Sequence, residues 1–206
     1  MTDFSKVKAN MEGYGFKVSV FDTKEEACAF LAEELEGKSI GIGGSKTVEA
    51  IGLYEALEGK SEIKWHWKAG IDPDHPEEIV KERDDAMHTE VYISSANAIA
   101  ETGEIINIDG AGNRISSTLW GHRKVIFVIG ANKLCPTYDD ALWRARNVAA
   151  PLRAQSVNAK TPCAAKGDRC YDCKSPARIC KGMATIWRPM NFQEFEVVFI
   201  DEDLGM

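Results

Sequence analysis

Val125-Ile126-Phe127-Val128-Ile129-Gly130-Ala131 is the longest apolar run in the chain, and the fold turns on how it is read. It is too short to cross a bilayer, which takes about 20 residues. A short run of large apolar side chains closed by glycine fits a strand buried at the centre of a sheet. Glu90 to Ser94 reads the same way. Between the two, Ala98 to Glu101 and Glu104 to Ile108 flank Thr102-Gly103, which predicts a hairpin.

Upstream the pattern alternates. A short helix ends at Gly13, and Phe16 to Phe21 is a strand. Thr23 then caps a helix, with Glu26 three residues on completing a capping box. Ala27, Phe30, Leu31 and Leu35 give that helix its apolar face, and Gly37 ends it. Ser39 to Ile42 is a strand, followed by a helix whose inner residues are Val48, Ile51, Leu53 and Leu57. Ser61 to Trp67 reads as a strand with one aromatic face. Asp72-Pro73-Asp74-His75-Pro76 breaks the chain before a helix over Glu77 to Met87. Downstream, Tyr138 to Ala150 is a helix and Phe195 to Ile200 a closing strand. Strands alternating with helices predict an α/β fold around a mixed, mainly parallel sheet with flanking helices.

Composition bounds the function classes. The 206 residues carry 25 Lys+Arg against 32 Asp+Glu, a formal charge of -7. That acidity argues against a general nucleic-acid binder. The first residues lack the apolar stretch of a secretory signal, so the chain is expected to be soluble and cytoplasmic, with no membrane span.

The cysteines cluster. Cys28 and Cys135 stand alone, whereas Cys163, Cys170, Cys173 and Cys180 crowd together among six basic and two acidic residues between Lys160 and Lys181. In a cytosolic chain, crowded cysteines point to metal or redox chemistry. The C-x-x-C pair places two thiolates on one turn, and the two outer cysteines, symmetrically spaced, can close a four-sulfur site. Zinc would make it a structural staple and a [4Fe-4S] cluster an electron carrier. Spacing does not separate the two, and disulfides or free thiols are the bland alternative. The expected organisation is an α/β domain over 1–158, a cysteine-rich knuckle over 159–190 and a returning C-terminal strand within 191–206.

Two turns are candidates for ligand contact. Gly41-Ile42-Gly43-Gly44-Ser45-Lys46-Thr47 joins a strand to a helix, where glycines admit a ligand to the backbone. It is not a P-loop, which would need glycine at Ile40 and Ser45, nor a dinucleotide fingerprint, which would need glycine at Lys46. Gly43, Gly44, Ser45 and Thr47 are therefore candidates in a generic anion-friendly turn, against the alternative of a turn needed only for packing. Asp109-Gly110-Ala111-Gly112-Asn113-Arg114 is no calcium loop, because its twelfth position is Trp120. Its polar residues cluster at a strand end, as in α/β ligand crevices, with a solvated turn as the alternative. Arg114 is the candidate carboxylate or phosphate clamp. Glu101 is a candidate base or nucleophile if buried, and the four histidines share no ligand spacing.

Ser94 to Ile105, Asn107 to Arg114 and Val128 to Lys133, with Gly43-Gly44-Ser45 and Thr47, resemble the LUD domain, the LutC/YkgG-type lactate utilization family. The four-cysteine segment looks like a feature of short members. The resemblance implies a fold similar to the NagB/RpiA/CoA-transferase group and a role beside iron–sulfur partner proteins in oxidising L-lactate to pyruvate. On that basis Asn97, Asn113 and Arg114 would bind a small anionic ligand, and Glu101 or Asp109 would orient its hydroxyl. Electrons would leave through a metal cluster or a partner, since no flavin or nicotinamide fingerprint is present. Two other classes stay open: a hydrolase or transferase on a phosphorylated or CoA-linked substrate using Glu101, and a non-catalytic scaffold with a zinc knuckle. Self-association into a homo-oligomer is left open too.

Overall fold

The computed structural model describes residues 2–72 and 74–206. Pro73, in the expected chain break, and Met1 lie outside the described residues. The main sheet is assembled from β1 (Lys17–Phe21), β2 (Ser39–Ile42), β3 (Glu62–Lys64), β4 (Val91–Ser94), β7 (Lys124–Gly130) and β10 (Glu194–Ile200). Their order is β1-β10-β7-β4-β2-β3, and every pairing in it is parallel. The run at 125–130 is buried at every position and lies between β10 and β4.

The antiparallel hairpin belongs to a second sheet. β5 (Ala98–Ala100) and β6 (Ile105–Asp109) pair with each other and extend to β8 (Leu134–Cys135) and β9 (Gly182–Ile186), in the order β8-β5-β6-β9. The expected mixture of parallel and antiparallel pairing is thus divided between two sheets.

Alternation along the central strands sorts the core into two faces. Ile126, Val128, Val198 and Ile200 pack against α2 (Lys24–Leu35), α3 (Lys46–Ala50) and α4 (Leu53–Leu57). Phe127, Ile129, Val197 and Phe199 face the opposite way, onto α1 (Ser5–Gly13) and onto Ile99, Ile105 and Ile186 of the second sheet. The far side of that sheet is closed by α7 (Tyr138–Arg144) through Ala141, with Ala145 just beyond its end. The layers therefore run helix, sheet, sheet, helix.

Local signals account for several boundaries. The Thr23 hydroxyl accepts from Glu26 N, and the Glu26 carboxylate accepts from Thr23 N, which completes the expected capping box. Thr23→Ala should cost about 1 kcal/mol in a denaturant titration, the usual worth of such a cap. α5 (Glu77–Ala86) begins just after Pro76. The strand expected over 61–67 stops at Lys64, and a turn follows in which Trp65 and Trp67 stack at 5.8 Å. The helix expected over 138–150 runs further: a π-helical turn, Ala145–Ala149, leads into α8 (Ala150–Ser156). Pro151 has no N–H to donate, and a wide turn just before it accommodates the missing donor. The sequence reading did not include α6 (Asn113–Leu119), α8, α9 (Pro162–Lys166), β8 or β9.

One buried ion cluster ties the amino-terminal edge of the main sheet. Lys124 pairs with Glu196 at 2.6 Å and Glu194 at 2.8 Å, and also with Glu34; Lys17 adds contacts to Glu34 and Glu196. Burial opposes the Lys124 ammonium, yet its three carboxylate partners outweigh that and raise its pKa. These carboxylates are the one trio of candidate ligand atoms within 4.8 Å among the described residues, and lysine ammoniums already neutralise them.

Candidate functional site

From β2 the chain steps outward to β3, while from β4 it steps the other way to β7. The carboxyl ends of such diverging strands leave a crevice. Here the crevice is a cavity of about 310 Å³, lined by the loops after β2, β4 and β7, by the turn after β6, and by residues of α6 and α8.

The Asp109 turn is the most fully bonded part of this wall. Asp109 Oδ1 accepts from Gly110 N and Ala111 N, and Oδ2 accepts from Arg114 N and Ile115 N. Burial works against the carboxylate charge, but the Arg114 guanidinium and the backbone N–H groups hold its pKa below the usual carboxylate range. With four N–H donors engaged, Asp109 anchors the turn from which it lines the crevice. Arg114 is set by Asn97, whose Oδ1 accepts from Arg114 Nη2 at 3.3 Å and from Ile108 N at 2.7 Å. The guanidinium also donates to Ile108 O and Ser95 O. Asn113, at the start of α6, lines the same wall.

The glycine-rich loop supplies the opposite side. Gly44, Ser45 and Thr47 line the cavity. Gly43 lies just behind, where a Cβ would stand 2.8 Å from Tyr92 Oη and 3.4 Å from Arg114 Cδ, so only glycine allows this approach. Ser45 caps α3 by accepting from Val48 N. The Thr47 hydroxyl donates to Leu204 O and accepts from Lys133.

Glu101 is elsewhere. Its carboxylate pairs with Lys6 of α1 at 2.7 Å, and its carbonyl accepts from Asn10. The hairpin turn carries it against α1, and it is not among the residues that line the crevice. The structure thus does not bring Glu101 together with the other candidate residues.

Lys133 is the group that sequence reading missed. It follows β7 on a 3₁₀ turn, Ala131–Lys133, and is 3% exposed. Its Nζ donates to Thr47 Oγ1 at 2.6 Å and Ser95 Oγ at 2.8 Å. No carboxylate forms an ion pair with it among the described residues. Burial first, then the Arg144 and Arg114 guanidiniums, pull its pKa down to about 7. Lys46, Arg83 and Arg153 also line the cavity, where Asp109 is the one acidic side chain among the described residues. Trp67 forms part of the rim, with Lys46 Nζ 5.0 Å and Arg153 Cζ 5.4 Å from its ring centroid. Burial, with Arg83 and Arg153 nearby, pushes His66 down to about 4, so it is neutral at pH 7. The signals available in sequence were a lysine just beyond a buried strand end and basic residues scattered over 100 positions.

The cysteine segment touches this site. Cys180 lines the crevice, and Cys170 and Cys180 border a smaller cavity beside it. Lys181 N donates to Asp109 O, and a Cβ on Gly110 would lie 2.4 Å from Ile179 O. Cys170 Sγ accepts from Asp172 N, and Arg178 donates to the carbonyls of Cys173 and Cys180. All four thiols are half-buried. The donor chemistry suits a thiophilic metal, but as placed no three of the sulfurs lie within 4.8 Å of one another.

Fold and site together define an α/β protein built on a parallel sheet, with a strongly cationic crevice at the carboxyl ends of its strands. The chain belongs to the LUD domain family, whose model matches residues 4–200 and which is associated with lactate utilization. It is similar in fold to a DUF162 family protein from Deinococcus radiodurans, known from a crystal structure at 1.70 Å. The TM-score is 0.51, with 11% identity over 97% of this chain and 99% of that one, a likeness of fold alone. Among curated proteins, no sequence matches the chain. No described helix is long and apolar enough to cross a membrane.

Proposed function

We propose that this chain serves lactate utilization as a subunit or accessory factor in oxidising L-lactate to pyruvate, by binding a small carboxylate anion in the crevice. The observation that supports this is Lys133, a buried amine with two hydroxyl partners and no carboxylate ion pair among the described residues, lining the same cavity as Arg114 and Arg153. Burying a cation without an anion is costly, so a site of this kind favours an anionic ligand. Arg114 supplies the fork for a carboxylate, and Asn97 and Asp109 hold it in place. The transferase reading placed its nucleophile at Glu101, which pairs with Lys6 outside the crevice.

Arg114→Ala should weaken L-lactate binding at least about tenfold by calorimetry, the worth of a charge-assisted hydrogen bond. Unchanged affinity would reject the clamp. The four cysteines would hold a [4Fe-4S] cluster or zinc, a cluster passing electrons to iron–sulfur partner proteins and zinc acting as a staple. Metal and acid-labile sulfide content of protein purified without oxygen decides between them: iron with sulfide marks the cluster, zinc alone the staple, and neither metal rejects both.

A further inference from the structure

We infer that Lys133 is a nucleophilic amine that forms a reversible imine with a 2-oxo acid whose carboxylate is held by Arg114. This rests on the carboxylate-binding reading above and adds a covalent step and a ligand class to it. The geometry has three parts. Lys133 and Arg114 line the same cavity, and both bond to Ser95, Lys133 at its hydroxyl and Arg114 at its carbonyl. The hydrogen-bond partners of Lys133 are the hydroxyls of Thr47 and Ser95, which donate and accept protons equally well. The Arg144 guanidinium from α7 and the Arg114 guanidinium from α6 both disfavour its ammonium form. Lysines desolvated beside another cation are the ones that serve as amine nucleophiles near neutral pH.

The step balances without an added oxidant or reductant. The amine lone pair forms a bond to C2 of the 2-oxo acid as the C=O π pair moves onto oxygen, which takes one of the nitrogen's protons to give a carbinolamine. Thr47 or Ser95 then protonates that hydroxyl, it leaves as water while the nitrogen lone pair forms the C=N bond, and the second nitrogen proton restores the protein hydroxyl. Hydrolysis runs the same path backwards. A 2-hydroxy acid has no carbonyl at C2, so it binds by its carboxylate alone. The crevice would therefore distinguish the two oxidation states of one carbon skeleton by chemistry as well as by shape.

Trapping tests this on the full chain. Pyruvate and cyanoborohydride are added to the parent and to Lys133→Met, with peptide mass mapping, while pyruvate and L-lactate binding are measured separately by calorimetry. The expected result is one 1-carboxyethyl group on the peptide carrying Lys133 in the parent, no such adduct in Lys133→Met, and none with L-lactate. Trapping should rise as pH passes through 7, as the amine loses its proton. Pyruvate binding without an adduct overturns the imine and leaves the carboxylate reading standing. Adducts spread over other lysines, equal in the variant, overturn the imine as well. Absence of binding by either acid overturns both.

Discussion

Lys133→Met is expected to yield a more stable protein with weakened affinity for small carboxylates. The native pKa of Lys133 lies near 7 against 10.5 for a free lysine. A lysine whose folded pKa is depressed binds fewer protons in the native state than in the unfolded state between those two values. Its penalty is therefore complete below about pH 7 and is relieved as pH rises towards 10.5. At neutral pH and below, every tenfold weakening of proton binding on folding corresponds to about 1.4 kcal/mol of penalty. Methionine removes that penalty but leaves the Thr47 and Ser95 hydroxyls without a donor, and Thr47 keeps its bond to Leu204 O. The net gain should be about 2 to 4 kcal/mol, or roughly 5 to 10 °C in melting temperature for a chain of this size. In carboxylate-free buffer the parent should gain stability from pH 7 to 9 relative to the variant. A variant that melts lower at pH 6.5, or a parent with no such slope, would show that the amine is already compensated.

Asp109→Ala is expected to lose about 3 kcal/mol and the anion site with it. Its carboxylate accepts from four backbone N–H groups, two of them at the start of α6, and alanine offers them nothing. Helix-cap replacements cost about 0.5 to 2 kcal/mol, and this residue also supports the turn before the helix. Because Arg114 N is one of the four, the guanidinium loses its placement, so lactate affinity should fall together with stability. The depressed pKa sets the sign of the acid dependence. Asp109 contributes fully above the unfolded carboxylate pKa near 4, and that contribution is lost as pH falls through the lower native value. Melting curves of parent and variant should therefore converge in strong acid. An Asp109→Ala protein with parental stability and affinity would mean that the turn is held by other contacts.

The parts legible in sequence were those with local causes. The capping box at Thr23 and the apolar runs at 91–94 and 125–130 carry their own instructions, and each became the expected element. The Asp109 to Arg114 cluster was legible as a polar turn at a strand end, the place where an α/β sheet opens its crevice. The division into two sheets was not legible, since β9 joins β6 across more than 70 residues of chain and its residues are partly exposed. The π-helical turn before Pro151 arises from a missing donor whose consequence depends on the neighbouring backbone. The position of Glu101 against α1 was not legible, because its side-chain direction follows from how the hairpin meets that helix. Lys133 was missed because a place just beyond a buried strand end is a weak signal, and its burial comes from Thr47, Ser95 and Gly205 converging from three distant segments.

The most direct test of the anion crevice is the titration of the Lys133 side chain itself, followed by NMR in selectively labelled protein with and without saturating L-lactate. Lactate has no C2 carbonyl, so the measurement reads charge alone. A pKa near 7 in the free protein that rises measurably on saturation, with ~1.4 kcal/mol of added interaction for each tenfold gain in proton affinity, is the predicted result. A Lys133 that titrates as an ordinary lysine in both states, or that is unmoved by lactate, would contradict the reading of this crevice as a carboxylate site.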